Sequence, residues 1–329
     1  MSDQFLFFCV NLGNENLLKE EIRVFYPELT LSYSRKGFIT YKNKGVVYDL
    51  SSISQLEATF ATRAGICLGK AKPDQLNETV TKSCQELELD FDQTIIHSFS
   101  VGAEFQIDAA EIFNREVNNY SANGKTVIDL ITLGENEVWF GVHIVAAGTT
   151  RFPNSNPSIT TPADSPSASY TKLAQIASLF SIKLDERDSW LDFGSAPGGA
   201  SHFLLNRGHK VWGIDTAKMA ASISAHKNYH HIKCSVQDLT QEALPEGDIH
   251  WVHADLNLNP FQAIKEVLRL CKKYNYAIKG MIFTVQVVKL DYVKNIEAFE
   301  DLFYDWGFTD IISRQVPAHK QEYVIIASK

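Results

Sequence analysis

The chain is poor in cysteine and has no long hydrophobic run. No apolar stretch approaches the roughly 20 residues that a membrane-spanning helix needs. The first ten residues include acidic Asp3 and no basic flank, which predicts a β-strand and not a signal peptide. The cysteines form no C-x-x-C pair, which argues against a zinc site or a disulfide framework and favours a reducing cytoplasm. They lie far apart, at Cys9, Cys67, Cys84, Cys234 and Cys271.

An excess of positive charge is also missing. The formal net charge is −8, and it lies entirely in the first part of the chain. Residues 1–150 hold 12 Lys and Arg against 20 Asp and Glu, whereas residues 151–329 hold 19 of each. Because basic side chains usually supply the affinity for phosphates, a nucleic-acid site would have to be a local patch. Otherwise such binding is weak or needs a pre-folded RNA.

One linker stands out. Residues 148–169 are rich in Pro, Ser, Thr and Asn and show neither helical nor strand periodicity. Before it, a β-α-β-α pattern over residues 1–69 indicates a small ferredoxin-like domain. The predicted elements are strands Phe5–Leu12 and Phe38–Tyr41 and helices Asn16–Phe25 and Ser52–Phe60. A second α+β module is predicted over residues 70–150, with helices Glu78–Leu87 and Asp108–Asn118 and strands Ser98–Ile107, Thr126–Thr132 and Glu137–Val145.

After the linker, strands and helices alternate at a spacing typical of an α/β fold with a doubly wound, Rossmann-like parallel sheet. The predicted helices are Pro260–Lys273 and Ile296–Trp306. The predicted strands are Trp190–Phe193, Val211–Ile214, Tyr229–Cys234, Ile249–Ala254, Met281–Val288, Asp310–Arg314 and Tyr323–Ala327.

The most informative segment is a strand that breaks into a glycine-rich turn. After Trp190–Phe193, the residues Gly194–Gly199 read Gly-Ser-Ala-Pro-Gly-Gly, and a helix-like run follows. Small residues let a ligand approach the backbone, and in an open α/β sheet cofactors bind at this point. The next strand ends in Asp215, whose carboxylate suits the hydroxyls of a ribose.

Two cofactor classes use this geometry. The dinucleotide fingerprint is G-x-G-x-x-G, whereas this turn reads D-x-G-x-x-P-G-G, and Pro197 has no N–H to offer a pyrophosphate. A dehydrogenase is therefore disfavoured. The turn resembles the S-adenosylmethionine (SAM) loop of the FtsJ-like ribose 2′-O-methyltransferases. The resemblance implies SAM contacts for Gly194, Ala196, Pro197, Gly198 and Gly199, and an antiparallel last strand in the sheet.

Acidic residues follow three strands of the predicted sheet. They are Asp215, Asp238 and Asp255. Each one alone could be a helix cap or a solvated turn residue. Together they would repel one another around an empty crevice. A ligand with hydroxyls, amino groups and a cation, such as SAM, would accommodate all three.

The resemblance extends to the domain order. Residues 162–173, Pro-Ala-Asp-Ser-Pro-Ser-Ala-Ser-Tyr-Thr-Lys-Leu, look like the start of the catalytic domain in RlmM-type enzymes. These FtsJ-like enzymes 2′-O-methylate a cytidine of large-subunit ribosomal RNA and carry ferredoxin-like and THUMP domains first. The resemblance is specific over residues 162–329 and architectural over 1–150. It implies a ferredoxin-like domain at 1–69, a THUMP-like domain at 70–150, a linker at 151–169 and a methyltransferase domain at 170–329.

The same family carries a Lys–Asp–Lys–Glu tetrad around the target 2′-hydroxyl. By position the resemblance assigns Lys172, Asp255 and Glu322 to the first lysine, the aspartate and the glutamate. It places Ser169 near the SAM carboxylate. The second, central lysine falls on Gln286.

Gln286 changes the expected chemistry. A lysine with a lowered pKa can deprotonate a ribose hydroxyl, whereas a neutral glutamine can only hydrogen-bond to it. Lys289 would point to the other face of the strand unless a bulge intervenes. Three alternatives stay open. Lys289 replaces the lysine, Asp255 and Lys172 suffice by positioning the substrate, or the protein binds SAM and RNA without transferring a methyl group.

The sequence thus predicts a SAM-dependent RNA 2′-O-methyltransferase with structured, ribosomal RNA as its partner and no DNA or membrane partner. One rival is a pseudoenzyme that binds SAM and RNA. A second is a methyltransferase that acts on a base or a protein. Base N-methylation commonly uses a [DNS]-P-P-[YF] motif after the fourth strand. Residues 257–261 read Asn-Leu-Asn-Pro-Phe, which has the wrong spacing and a single proline.

Overall fold

The computed structural model divides the chain into two compact units. The first is Met1–Pro157 with Leu179–Ser181, and the second is Ser158–Ser178 with Ile182–Lys329. The division at residue 157 falls inside the predicted linker. No helix among the described residues is long and apolar enough to cross a membrane. The described residues are 3–56, 58–120, 123–145, 151–185 and 188–329.

The N-terminal unit is built on one mixed sheet, seven-stranded as far as the chain is described. The strand order is β2-β3-β1-β4-β7-β6-β5, with β5 and β6 parallel and the other neighbours antiparallel. The strands are β1 (Gln4–Val10), β2 (Leu29–Arg35), β3 (Phe38–Asn43), β4 (Ala61–Ala71), β5 (Ile95–Ser100), β6 (Thr126–Gly134) and β7 (Glu137–Ile144). The helices are α1 (Glu15–Phe25), α2 (Leu50–Ser54), α3 (Leu76–Glu86) and α4 (Ala109–Phe113).

Two of these strands are absent from the sequence prediction. β2 is an edge strand with mostly exposed side chains, so it lacks the apolar alternation that marks a half-buried strand. β4 contains glycines, which are typical of turns. A Cβ on Gly65 would lie 2.5 Å from the Phe7 ring, so packing against β1 requires glycine there.

Three predicted elements are shorter than expected. The helix predicted over Ser52–Phe60 is α2, which is capped by Asp49 and ends at Ser54. The helix predicted over Asp108–Asn118 is α4, which ends where Asn114 adopts a left-handed conformation. The strand predicted over Ser98–Ile107 is β5, which ends at Ser100.

The predicted boundary between residues 69 and 70 lies inside β4. This strand pairs with β1 on one side and with β7 on the other. Residues 1–69 and 70–145 therefore contribute to a single sheet and belong to one compact unit. The assignment of these two parts as ferredoxin-like and THUMP-like stays a prediction.

A polar cluster lies in the interior of this unit. The side chains of Arg63 on β4 and Asp129 on β6 are both 0% exposed and form an ion pair. Arg63 also donates to the carbonyl of Phe152, and His143 Nδ1 lies 2.6 Å from the second carboxylate oxygen of Asp129. Burial disfavours ionised Asp129, but Arg63 and His143 outweigh it and lower its pKa to about 2.

His97 completes the cluster in its neutral form. Burial and the positive charge of Arg63 lower the pKa of His97 to about 4. Its Nδ1 lies 3.0 Å from the guanidinium of Arg63, which can only donate. The ring proton is therefore on Nε2, 3.0 Å from the carbonyl oxygen of Asn119.

The C-terminal unit has a second sheet, also seven-stranded within the described ranges. Its order is β10-β9-β8-β11-β12-β14-β13. The strands are β8 (Ser189–Phe193), β9 (Lys210–Ile214), β10 (Tyr229–Ile232), β11 (Trp251–Asp255), β12 (Gly280–Gln286), β13 (Asp310–Arg314) and β14 (Glu322–Ser328). The helices are α5 (Ser169–Leu179), α6 (Gly199–Leu205), α7 (Ala221–Ser224), α8 (Pro260–Cys271) and α9 (Ile296–Trp306).

This arrangement confirms the predicted fold class. Strands β8 to β12 are parallel, and β14 is inserted antiparallel between β12 and β13. Every strand predicted after the linker is present, and most of them are short apolar runs between turn residues. Helix α5 begins inside the predicted linker at Ser169 and was not expected from the pattern.

Candidate active site

A pocket of about 370 Å³ opens at the carboxyl ends of β8, β9, β10 and β11. Its volume lies within the range of small-molecule sites, and this sheet edge is where α/β folds bind ligands. Four predicted cofactor residues line it: Gly194, Ala196, Asp215 and Asp255. The sequence analysis missed the other lining residues, although all of them end or follow strands. They are Ile214, Thr216, Cys234, Ser235, Val236, Gln237, Leu256, Asn257 and Leu258.

Gly194 allows the chain to turn closely against β11. Its φ is +76°, and a Cβ there would lie 2.1 Å from the carbonyl oxygen of Asp255. A larger residue would have to displace the backbone of β11. The floor of the pocket therefore depends on glycine at this position.

Asp215 braces the same turn. One of its carboxylate oxygens accepts a hydrogen bond from the Ala196 N–H at 3.0 Å, and the other accepts from the Ala217 N–H at 2.8 Å. The sequence prediction gave Asp215 a role toward ribose hydroxyls. The structure adds a role in shaping the loop, and each oxygen keeps a second lone pair that faces no other donor among the described residues.

Asp192 anchors the turn from below. It is 0% exposed, and its carboxylate accepts from the Ser201 hydroxyl at 2.6 Å and lies 2.7 Å from His253 Nδ1. These contacts tie β8 to α6 and to β11. A buried carboxyl group held by two hydrogen bonds favours one geometry, which helps to fix the glycine turn.

Five predicted cofactor residues lie outside the pocket lining: Ser169, Pro197, Gly198, Gly199 and Asp238. Pro197 is exposed, and Ser169 begins α5. A Cβ on Gly198 would lie 2.8 Å from Ile223, so this glycine is needed for packing against α7. Asp238 is exposed and accepts from the Ser235 hydroxyl at 2.6 Å, which is the behaviour of a turn residue.

Gly199 packs against the segment that precedes α5. A Cβ on Gly199 would lie 2.2 Å from Ser167 Oγ. That hydroxyl is buried and makes no hydrogen bond within the described part of the chain. Ser167 is thus a polar group at the glycine turn that the sequence analysis did not single out, although it lies in the segment that resembles the RlmM-type enzymes.

Beside the pocket, four predicted catalytic residues come together. Lys172 Nζ lies 2.5 Å from a carboxylate oxygen of Glu322 and 3.5 Å from one of Asp255. Gln286 Nε2 donates to Asp255 at 3.0 Å and to Glu322 at 2.8 Å. The order of the strands in the sheet explains why these side chains lie together. Asp255 ends β11, and Gln286 ends β12 directly opposite Glu322, which begins the antiparallel β14.

Gln286 occupies the place between the two carboxylates. Since ionised carboxylates only accept hydrogen bonds, the amide nitrogen must face them, and both of its hydrogens are used. The amide oxygen meets no donor among the described residues and can accept from a hydroxyl. Gln286 thus supplies hydrogen bonds where the family pattern has a second lysine, but it supplies no charge.

Lys172 carries the positive charge of the cluster. Burial disfavours its ionised form, but Asp255 and Glu322 together outweigh burial and raise the pKa of the amine. Lys172 is therefore an ammonium at neutral pH and cannot accept the proton of a hydroxyl. His319 lies in the field of the same groups. Burial, and then Lys172, lower its pKa to about 3, so it is neutral.

Lys289 lies apart from these groups. It is exposed, at the start of a 3-10 turn over Leu290–Asn295. No hydrogen bond or ion pair in the described residues joins it to Asp255, Gln286 or Glu322. The structure brings together the other four predicted catalytic residues without it.

Residues 166–315 match the sequence profile of the FtsJ-like methyltransferases. This segment of the C-terminal unit is similar to the FtsJ-like methyltransferase domains. The match covers the glycine turn, Lys172, Asp255 and Gln286 and confirms the resemblance drawn from the sequence; Glu322 lies beyond it.

Curated relatives of the FtsJ-like domain have one name in common. The Ribosomal RNA large subunit methyltransferase M of Thauera aminoaromatica is 28% identical over 156 residues, which cover 45% of this chain and 40% of that protein. The enzyme of the same name from Laribacter hongkongensis is 35% identical over 78 residues, or 22% of each chain. The chain thus spans less than half the length of the curated relatives it matches.

A solved structure covers more of the chain at lower similarity. A possible methylase from Clostridium difficile 630 aligns with 99% of this chain and 98% of its own, at 11% identity and a TM-score of 0.37. This similarity is too low to add to the assignment, which rests on the FtsJ-like domain.

The pocket of this FtsJ-like domain fits SAM by its donor set as well as its size. Glycine and alanine bring backbone close to the ligand, Asp215 and Asp255 are carboxylates for hydroxyl and amino groups, and Leu256 and Leu258 offer apolar contact. Asp255 belongs to both the pocket and the Lys172 cluster. A group bound in the pocket would therefore lie next to the predicted catalytic side chains.

Proposed function

We propose that this chain transfers a methyl group from SAM to a ribose 2′-hydroxyl of RNA, with large-subunit ribosomal RNA as the substrate class. The observation that carries the proposal is the position of Asp255. It lines the cofactor pocket and also contacts Lys172 and Gln286 of the four-residue cluster. The names of the curated relatives support the RNA substrate.

The cluster suits a hydroxyl nucleophile. SAM supplies an electrophilic methyl group when it is bound in the pocket. Lys172 and the amide nitrogen of Gln286 orient the carboxylates of Asp255 and Glu322, and Asp255 accepts a hydrogen bond from the incoming hydroxyl. Positioning of a nucleophile beside its electrophile supplies a large part of the rate in such reactions.

The proton of the hydroxyl goes to a carboxylate in this proposal. Lys172 is already protonated because Asp255 and Glu322 raise its pKa. A glutamine cannot take a proton usefully. Asp255 is the remaining acceptor that belongs to both the pocket lining and the cluster, since Glu322 is 5% exposed and is not among the residues that line the pocket. We therefore assign Asp255 as the general base.

The N-terminal unit would hold structured RNA, as the ferredoxin-like and THUMP-like predictions imply. The protein would act in the cytoplasm. In support of this compartment, all five cysteines are unpaired, and burial raises the pKa of the thiols of Cys9, Cys67, Cys84 and Cys271, which keeps them unreactive.

A second candidate is a pseudoenzyme that binds SAM and RNA. The observation in its favour is Gln286, which leaves the cluster without a lysine of lowered pKa. Both candidates need the same pocket, so binding alone does not separate them. A methyltransferase for bases or proteins has no comparable support, because Lys172, Asp255 and Glu322 match three of the four positions that the resemblance to the ribose methyltransferases implies.

The deciding experiment supplies labelled SAM and an unmodified large-subunit ribosomal RNA transcript, followed by digestion to nucleosides. A 2′-O-methylnucleoside is the expected product. A methylated base would refute the ribose assignment. SAM binding without any transfer to this RNA would favour the pseudoenzyme.

A further inference from the structure

We propose that the edge of the FtsJ-like domain formed by β9 and β10 carries a stacking platform for an RNA base, built from Lys210, Trp212 and His230. The proposal rests on the proposed function, since it names a surface that would hold the RNA substrate. It concerns a face of the domain that lies outside the pocket lining and the Lys172 cluster.

Trp212 contacts both of the other side chains. The rings of Trp212 and His230 lie 5.4 Å apart at 25°, and Lys210 Nζ lies 4.4 Å from the centre of the Trp212 ring. Pairing of β9 with β10 sets Trp212 opposite His230, and strand alternation puts Lys210 on the same face. An indole, an imidazole and a cation are thus presented together.

This stack is not part of a core. Lys210 and His230 are exposed, and Trp212 is half-buried. The chain between β10 and β11, residues 233–250, forms no helix in the structure, so no connecting helix covers this end of the sheet. A tryptophan left accessible on a sheet edge is unusual for packing alone, because burial is what normally stabilises large aromatic rings.

The local excess of basic residues favours an anionic partner. Residues 207–233 contain five Lys and Arg and one acid, within a chain of net charge −8. The basic residues are Arg207, Lys210, Lys218, Lys227 and Lys233. Phosphates of a polynucleotide match this local excess, and aromatic rings stack on bases of any sequence. An apolar or acidic protein surface would use only one of these two features.

The platform also adjoins the cofactor pocket. Trp212 is two residues before Ile214, which lines the pocket, a distance of roughly 7 Å along the strand. On the opposite face, His231 Nε2 lies 3.0 Å from the carbonyl oxygen of Asp215. RNA held on this edge would therefore be anchored on the two strands whose ends shape the pocket.

The test compares binding of an unmodified large-subunit ribosomal RNA transcript by the full chain and three variants. His230→Ala and Trp212→Ala should each weaken RNA binding about tenfold, as expected for loss of one stacked base. Lys210→Ala should lower the slope of log affinity against log salt concentration by about 0.7 to 0.9, which is one phosphate contact. SAM affinity and the melting temperature should stay unchanged in His230→Ala and Lys210→Ala.

Matched controls are Tyr304→Ala and Lys265→Ala, an exposed aromatic and an exposed lysine on α9 and α8 of the same domain. Neither should change RNA binding. A second readout is tryptophan fluorescence, since Trp212→Phe should keep much of the affinity but abolish the quenching caused by bound RNA.

Three results would overturn the platform. Wild-type affinity in His230→Ala and Trp212→Ala would remove it and leave the proposed function intact. If the variants bind RNA as tightly as the wild type but lose binding to a protein from the same source, the surface belongs to a protein partner instead. Absence of RNA binding by the wild type, with SAM bound, would refute the platform and the RNA part of the proposed function together.

Discussion

The two units contain ion clusters of opposite character. In the N-terminal unit Arg63 and Asp129 are completely buried and bonded to backbone and histidine groups. In the C-terminal unit the side chains of Lys172 and Asp255 are 19% and 18% exposed and adjoin a pocket of about 370 Å³. The cation of the first cluster is a guanidinium, whereas the second cluster has the Lys172 ammonium beside an uncharged glutamine.

The difference in exposure distinguishes a cluster that stabilises the fold from one that can act on a substrate. A sealed cluster cannot meet a substrate, and its groups are valuable because leaving any one of them unpaired is costly. An open cluster keeps acceptor capacity toward the pocket, on Asp255 and on the amide oxygen of Gln286. Perturbed ionisation alone would not distinguish them, since both contain groups with shifted pKa values. Access to a pocket distinguishes the two clusters.

The largest expected effect is on the sealed cluster. Arg63→Leu leaves Asp129 buried without its cation and should lower the free energy of unfolding by about 3–5 kcal/mol. Thermal or urea unfolding measures the loss. Arg23→Leu, which removes an arginine that is 63% exposed, should cause no measurable change. A small loss in Arg63→Leu would mean that the cluster is hydrated or relaxes easily.

The sealed cluster should also make folding sensitive to mild acid. His97 has a pKa of about 4 in the folded chain and about 6.5 when unfolded, so only the unfolded chain binds its proton between these values. The stability that neutral His97 contributes to the folded chain is present above pH 6.5 and is lost as the pH falls toward 4. We expect a loss of about 2 kcal/mol between pH 7 and pH 5.

Unfolding measured at both pH values in wild type and in His97→Gln checks this prediction. The variant should lose less stability over the same interval, although His319 still contributes, because its pKa of about 3 gives a shift of the same sign. An equal pH dependence in both proteins would show that His97 is not held neutral.

The shape of the cofactor pocket depends on Gly194. Gly194→Ala introduces a Cβ that would lie 2.1 Å from the Asp255 carbonyl oxygen, and SAM affinity should fall at least about tenfold. Gly247→Ala is the matched control. Gly247 has a similar φ of +89°, but a Cβ there meets nothing within 4 Å. Calorimetric titration with SAM should separate the two variants, and equal affinities would argue against this pocket.

The smallest effects concern the central position of the open cluster. If Asp255 is the base, Gln286→Lys should raise the methyl-transfer rate less than about tenfold, and Lys289→Ala should leave it unchanged. A gain of about a hundredfold or more in Gln286→Lys would indicate a decayed enzyme. A loss in Lys289→Ala would indicate that this exposed lysine moves into the site when RNA binds.

Much of the C-terminal unit is predictable from sequence, because most of its strands are short apolar runs between turn residues. Lys172, Asp255, Gln286 and Glu322 were identified by resemblance, and the antiparallel pairing of β12 with β14 explains why they meet. Asp238 stays a prediction as a cofactor residue; it lies outside the pocket lining and accepts from the Ser235 hydroxyl, as a turn residue does.

The N-terminal unit was harder to predict. The central strand β4 is long but contains Gly65 and Gly69, and glycines in a sequence pattern predict turns and not strands. The place of this strand in the sheet depends on Phe7, which lies 58 positions before Gly65 in the sequence and needs the space beside that glycine. Likewise, nothing local distinguishes Arg63 from a surface arginine, because its burial is set by partners on β5, β6 and β7. Long-range packing of this kind leaves no periodic signal.

The central claim is that Asp255 joins the cofactor pocket to the catalytic cluster. The most direct test is single-turnover methyl transfer from labelled SAM to an unmodified large-subunit ribosomal RNA transcript by wild type, Asp255→Asn and Asp238→Asn. We predict 2′-O-methylnucleoside with wild type and Asp238→Asn, and a rate at least about a hundredfold lower with Asp255→Asn while SAM still binds. Full activity in Asp255→Asn would contradict the account.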